Sequence, residues 1–229
     1  GTGSGYPHHF TAAPNVGQPT GADLDGDGRT YRARDAHGYG LFSGDGGMAI
    51  LSRFPIGAVR DFTRMPWISL PENVAERVTP VGAIQSLRLH SVAAWDLEVL
   101  TPAGPLHILA SHASAPVFDV PEDRNGLRNA DELLFWQRYL DGWSPAGPAF
   151  AAERFVVMGT FNVDPNRGEG RIDGIGALLT HSRLQDPEPR GADGRLATAD
   201  WNEPVPGDLR VDYILPDRGV TVLASGVLW

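Results

Sequence analysis

Four polar side chains stand at or inside apolar runs that read as strands. His112 closes LHILASH, Thr160 and Asn162 close FVVMGTFN, and Asp212 lies within LRVDYILP. Side chains alternate along a strand, so Thr160 and Asn162 point the same way. An aspartate among apolar strand residues is costly unless it is paired. Arg210, two positions back on the same face, is its nearest partner in the sequence. Imidazole, amide, hydroxyl and carboxylate together suit acid/base or metal-assisted hydrolysis. Each residue also has a structural reading. His112 reads as a strand-end histidine satisfied by backbone, Asn162 as a turn former in Asn-x-Asp-Pro, and Asp212 as half of an ion pair.

Two further clusters carry charge. PEDRNGLRN places Arg124, Asn125 and Arg128 between a strand end and a helix start. They read either as helix capping or as a rim that grips an anionic group of a substrate. DLDGDG spaces Asp23, Asp25 and Asp27 at i, i+2 and i+4 before a glycine, the first half of a calcium loop. A full loop asks for glutamate at its twelfth position, where Arg34 stands, so an Asp-Gly-rich turn is the other reading.

Composition excludes several chemistries. The 229 residues contain no cysteine, which removes disulfides, thiolate metal sites and cysteine nucleophiles. All 19 basic residues are arginine, which removes P-loop phosphate binding and Schiff-base catalysis. G-x-S-x-G, H-E-x-x-H and dinucleotide-binding patterns do not occur. The net charge of −9 argues against nonspecific nucleic-acid binding through a basic patch. It leaves room for a phosphodiester substrate where a bound cation supplies positive charge. No apolar run is long enough to span a membrane. No signal-peptide pattern occurs, and a mature or shortened chain would not show one.

These groups need elements to hold them. Residues 1–45 read as loop, broken throughout by glycine and proline. Strands are expected at Gly47–Ile56, in a hairpin over Asp96–His112, at Phe155–Met158 and onward to Asn162, at Leu209–Pro216, and at Val220–Trp229. Helices are expected near Leu127–Leu140, with the apolar stripe Leu133, Trp136 and Leu140, and near Ile172–Leu179. Strands outnumber helices and several are joined by hairpin-like turns, which points to an α+β layered domain. No repeat or linker is visible, so residues 1–229 read as one domain.

GMAILSRFPI, LASHASAPVFDVPEDRNGLRNADEL, FVVMGTFNVDP and RVDYILPDRGVTVLASGVLW, in this order, resemble the endonuclease/exonuclease/phosphatase superfamily of metal-dependent phosphoesterases. The chain is most similar to a bacterial, exported subgroup. The resemblance implies a four-layer αββα sandwich, two mainly antiparallel sheets with outer helices. It implies a monomeric hydrolase using Mg²⁺ or Mn²⁺, in a secreted or periplasmic setting. Its phosphoester substrate, nucleic acid or small molecule, is left open. Calcium at Asp23, Asp25 and Asp27 would add a structural site.

By the same resemblance, His112 matches the histidine that contacts the scissile phosphate. Asn162 matches the asparagine that supports the metal and phosphate, and Asp212 the aspartate that orients a second, general-base histidine. Asp45 is a candidate orienter of His112. Thr160 departs from the pattern. The superfamily reads Gly-Asp-x-Asn where this chain reads Gly-Thr-Phe-Asn, so the charge that helps activate water is replaced by a hydroxyl. The metal-binding glutamate with its upstream asparagine and a Ser-Asp-His motif are expected beyond the two ends. The expectation is therefore an inactive fragment of a hydrolase, with a non-catalytic binding or structural module as the alternative.

Overall fold

The computed structural model describes residues 5–119 and 121–228. Trp229, the last residue of the expected final strand, lies outside them. The chain divides into two compact units, Gly1–His112 and Ala113–Trp229.

In the first unit, β1 (His8–Phe10) pairs antiparallel with β2 (Ile50–Ser52). The expected strand Gly47–Ile56 is in fact two elements. Pro55 has no N–H for a ladder, and Ser52 Oγ accepts from Phe54 N at 3.0 Å. The chain therefore turns and resumes as β3 (Ile56–Asp61). β3, β4 (Ala93–Thr101) and β5 (Gly104–His112) form an antiparallel meander, with Ala93 opposite His112 and Trp95 opposite Ala110. Trp95 is fully buried and meets Phe10 edge-on at 4.9 Å. A short helix, α1 (Ala75–Val78), precedes β4.

The glycine-rich residues 5–45 are mostly irregular but well tied. The buried Asn15 donates to Thr63 O (2.5 Å) and His90 O (2.6 Å) and accepts from Arg88 Nη1 (2.7 Å). Asp35, also buried, accepts from Leu24 N and Arg32 N at 2.9 and 2.8 Å. Side chains here replace the ladder that regular structure would supply.

In the second unit, β6 (Phe155–Thr160) pairs antiparallel with β7 (Asp212–Pro216), and Thr160 lies opposite Asp212. α2 (Arg124–Leu140) starts three residues before the expected Leu127. Asp119 caps it from outside, accepting from Asn125 N at 2.9 Å and Gly126 N at 3.0 Å. Gly142, at φ 98°, ends it. α3 (Ile172–Leu179) falls where the sequence places it and packs on α2, where Gln137 donates to Gly174 O at 3.1 Å. Leu133, Trp136 and Leu140 are buried as the stripe requires. Tyr139, Phe150 and Phe155 extend the core through ring contacts of 5.0 and 5.3 Å.

The expected strand at Val220–Trp229 is not formed over its described residues. Its one backbone donor bond beyond Val220 runs from Val227 N to Arg190 O (3.1 Å), and Leu223 and Leu228 are almost fully exposed. Alternating apolar residues do not make a strand without a neighbouring ladder.

Candidate active site

The end of β6 and the start of β7 bring Thr160 and Asp212 together. Thr160 Oγ1 donates to Asp212 Oδ1 at 2.6 Å. Arg210, expected as the partner of Asp212, is engaged elsewhere. It forms a two-pronged pair with Asp186, both contacts at 2.7 Å, and lies 4.4 Å from the ring centre of Tyr213. The reason is backbone geometry. Arg210 precedes β7, where Asp164 Oδ2 accepts from its N–H at 2.7 Å. Asp212, in contrast, is inside the ladder and meets its cross-strand neighbour. Burial would lift the Asp186 pKa, but the Arg210 hydrogen bonds hold it below the usual carboxylate range. Burial likewise pulls the Arg210 pKa down, and Asp186 more than offsets this, so it ends raised.

Thr198 fixes the backbone at the same point. Its Oγ1 accepts from Val211 N (3.0 Å) and Asp212 N (2.9 Å). Asp212 is thus held by two threonines, one on a carboxylate oxygen and one on its N–H. Its Oδ2 has no partner among the described residues.

Asn162 follows β6 at φ 58°, a left-handed conformation that asparagine tolerates better than most residues. Its Nδ2 donates to Ala113 O at 2.8 Å. Its Oδ1 has no partner among the described residues. Asp164, two residues on, closes the expected turn by accepting from Asn166 N at 2.8 Å. Asn162 Oδ1 is a hard oxygen donor of the type Mg²⁺ takes, and one such donor fits a cation that keeps several waters and shares a substrate phosphate. Thr160 adds an oxygen but no charge.

Sequence reasoning missed Asn129 and Glu132, both buried on α2. Asn129 Nδ2 donates to Ser114 O (2.6 Å) and Phe161 O (2.8 Å), and Glu132 Oε2 accepts from Ser114 N (2.6 Å). The signal was present in the sequence. Asn129, Leu133, Trp136 and Leu140 follow helical spacing, so a polar residue occupies the apolar stripe.

The remaining candidates are placed as follows. His112 ends β5 in the first unit, half-buried, and its carbonyl accepts from Ser91 Oγ at 3.5 Å. Asp45 accepts from Leu41 N at 2.9 Å and closes a turn. Arg124 opens α2. Asn125 is part of the cap, donating to Val117 O at 2.9 Å. Arg128 is buried, and burial pulls its pKa down to about 10 against the charge of Glu132, which raises it. Asp23, Asp25 and Asp27 bring carboxylate oxygens within 4.8 Å of one another. They accept from backbone N–H groups of their own loop, Asp23 from Gly26 and Gly28, Asp25 from Asp27, and Asp27 from Arg29.

Against known proteins, the Endonuclease/Exonuclease/phosphatase family profile matches residues 5–229. The chain belongs to that family. Among solved structures, sphingomyelinase C from Streptomyces griseocarneus is similar at 17% identity and a TM-score of 0.53, over 96% of this chain and 65% of that one. A beta toxin mutant from Staphylococcus aureus, solved with bound magnesium ions, is similar at 13% identity and a TM-score of 0.52, again over 96% and 65%. The chain therefore spans slightly less than two thirds of the length of these neighbours. No curated protein gives a significant sequence match. The antiparallel strands and three helices have the α+β sandwich fold of the family. Among the described residues, no helix is long and apolar enough to cross a membrane.

Proposed function

We propose that this family member is a metal-dependent phosphoester hydrolase domain in which Asn162 faces the substrate phosphate and Asp212 orients a general-base imidazole. The observation that carries the reading is the junction between the end of β6 and the start of β7, where each of these two side chains is held at one atom and its other oxygen has no partner among the described residues. A divalent cation of the Mg²⁺ or Mn²⁺ type, held in part by Asn162 Oδ1, would neutralise charge building on the phosphate oxygens. Asn162 orients the phosphate, and Asp212 Oδ2 is available to hold an imidazole in one tautomer. His112 is assigned to the phosphate itself, with Arg124, Asn125 and Arg128 along the substrate rim.

Thr160 sets the expected rate. An acid/base group contributes about 10²–10⁴-fold, and the Thr160 hydroxyl proton is already committed to Asp212. Turnover by this chain is therefore low or absent, and Thr160 equally favours the second reading, a non-catalytic module. The test is hydrolysis of a chromogenic phosphodiester, plasmid DNA and sphingomyelin with Mg²⁺ or Mn²⁺. EDTA-sensitive turnover that is lost in Asn162→Ala and Asp212→Asn supports the hydrolase. No turnover in the natural chain and in Thr160→Asp fits an inactive hydrolase fragment and the module alike, and Mn²⁺ binding at Asn162, expected of the hydrolase fragment alone, decides between them.

The rest of the reading is of a monomeric bacterial protein of the secreted or periplasmic compartment, folded as one domain across residues 1–229. Calcium at Asp23, Asp25 and Asp27 would be structural. Identical melting curves with and without calcium would retire that site.

A further inference from the structure

Ala113 and Ser114 each have one backbone N–H and one C=O, and all four are engaged. Ala113 N donates to Thr160 O at 2.9 Å, and Ala113 O accepts from Asn162 Nδ2 at 2.8 Å. Ser114 N donates to Glu132 Oε2 and Ser114 O accepts from Asn129 Nδ2, both at 2.6 Å. Asn129 Nδ2 also donates to Phe161 O, the carbonyl just before Asn162. Asn129 and Glu132 are both nearly inaccessible to solvent. Both polar groups of Ser114 are thus engaged by buried side chains, and a buried polar side chain costs free energy unless it is matched.

The geometry points to Asn129 and Glu132 as positioning residues for Asn162. Asn162 has one amide group with two ends. Whichever end finds a fixed partner decides what the other end presents. The fixed partner is Ala113 O, a pure acceptor, so Nδ2 is drawn to it and Oδ1 is left outward. Ala113 O is fixed because Asn129 and Glu132 hold the next residue by both its polar groups. Asn129 grips the other side of the arrangement as well, through Phe161 O. One buried residue of α2 therefore sets both the acceptor that Asn162 uses and the backbone from which Asn162 projects. Asn162, at φ 58° just past β6, keeps one backbone bond, from its N–H to Val211 O at 3.2 Å, and this grip adds to it.

The functional meaning rests on the reading of Asn162 as a cation ligand, whereas the positioning does not. The experiment separates the two. NMR hydrogen exchange of the Asn162 side-chain amide and of the Ser114 backbone amide is measured in the natural chain, Asn129→Ser, Glu132→Ala and the control Gln137→Ala. Gln137 is on the same helix but outside the clamp. The same samples are titrated with Mn²⁺, reading paramagnetic broadening of the Asn162 amide. Both amides are protected in the natural chain. Exchange at Asn162 rises at least about tenfold in Asn129→Ser and Glu132→Ala and not in Gln137→Ala, and apparent Mn²⁺ affinity falls by about 10–100-fold, the usual cost of losing a group that orients a ligand. An unprotected Asn162 amide in the natural chain overturns the inference without any variant. So does unchanged Asn162 exchange in both folded clamp variants. Loosening of Asn162 with no Mn²⁺ effect on the natural chain upholds the positioning and overturns the metal reading instead.

Discussion

Thr160→Asp introduces the residue type that the resemblance implies at this position and places a second carboxylate against Asp212. The hydroxyl oxygen now lies 2.6 Å from Asp212 Oδ1, so an aspartate oxygen would come within about 3 Å. Two unit charges at that distance repel by about 5 kcal/mol at an effective dielectric constant of about 20. Taking up one proton at pH 7 costs a carboxyl of ordinary pKa about 4 kcal/mol. Protonation is the cheaper route, so the pair shares a proton, as adjacent carboxylates do. Asp212 is half-buried, and solvent screening lowers the net penalty to about 2–4 kcal/mol at pH 7. The folded variant then binds more protons than the unfolded chain between about pH 4 and the raised pKa of the pair. Its stability therefore falls as pH rises through that window. Thermal unfolding of the natural chain, Thr160→Asp and Thr160→Asn at pH 5, 6, 7 and 8 reads this directly. The Asp variant should melt about 5–10 °C below the Asn variant at pH 7 and close to it at pH 5, and Mg²⁺ should close the gap at pH 7. A gap between the two variants that does not change with pH would refute the reasoning, because residue 160 would not then face Asp212.

Other measurements probe the frame around the site. Arg210→Ala leaves the half-buried Asp186 carboxylate without its two-pronged partner and should cost about 2 kcal/mol, below the buried-pair figure because solvent screens Asp186, read as a lower urea midpoint; a change under about 1 kcal/mol would show that the pair is not structural. His107 has its pKa raised by its hydrogen bond to Asp96, at 2.6 Å, against burial. Its contribution is full below pH 6.5 and is lost as pH rises through the raised value. His107→Gln should flatten the fall in stability above pH 6.5, and an unchanged slope counts against it. Trp136→Ala opens a cavity between α2 and its aromatic neighbours and should cost about 3–5 kcal/mol, with a near-neutral result excluding Trp136 from the core.

The regular elements were legible where burial imposes a period. The hairpin, α3 and β6 needed only alternation or helical spacing. α2 was legible apart from its first turn, because its cap comes from Asp119, a loop residue outside any periodic run. Val220–Trp229 had the right period and no neighbour, which a single sequence does not reveal. The site was legible in residue identity and not in pairing. Arg210 was the obvious partner of Asp212 by separation along the chain, but the cross-strand neighbour Thr160 is 52 positions away. Thr198, 14 positions away, gave no signal at all. Order in residues 5–45 was hidden for a related reason. Asn15 and Asp35 act through backbone groups, which carry no mark in the sequence.

The bond between Asp186 and Arg210 spans 24 positions and closes the intervening chain into a loop. A second closure lies inside it, where Ala199 bridges Leu209. Residues 200–206 between these are exposed. Closing a loop is a cost that grows slowly with length, about 0.6 kcal/mol for each doubling. Insertions or deletions near Trp201 therefore act on the far side of two latches and leave Asp212 where it stands.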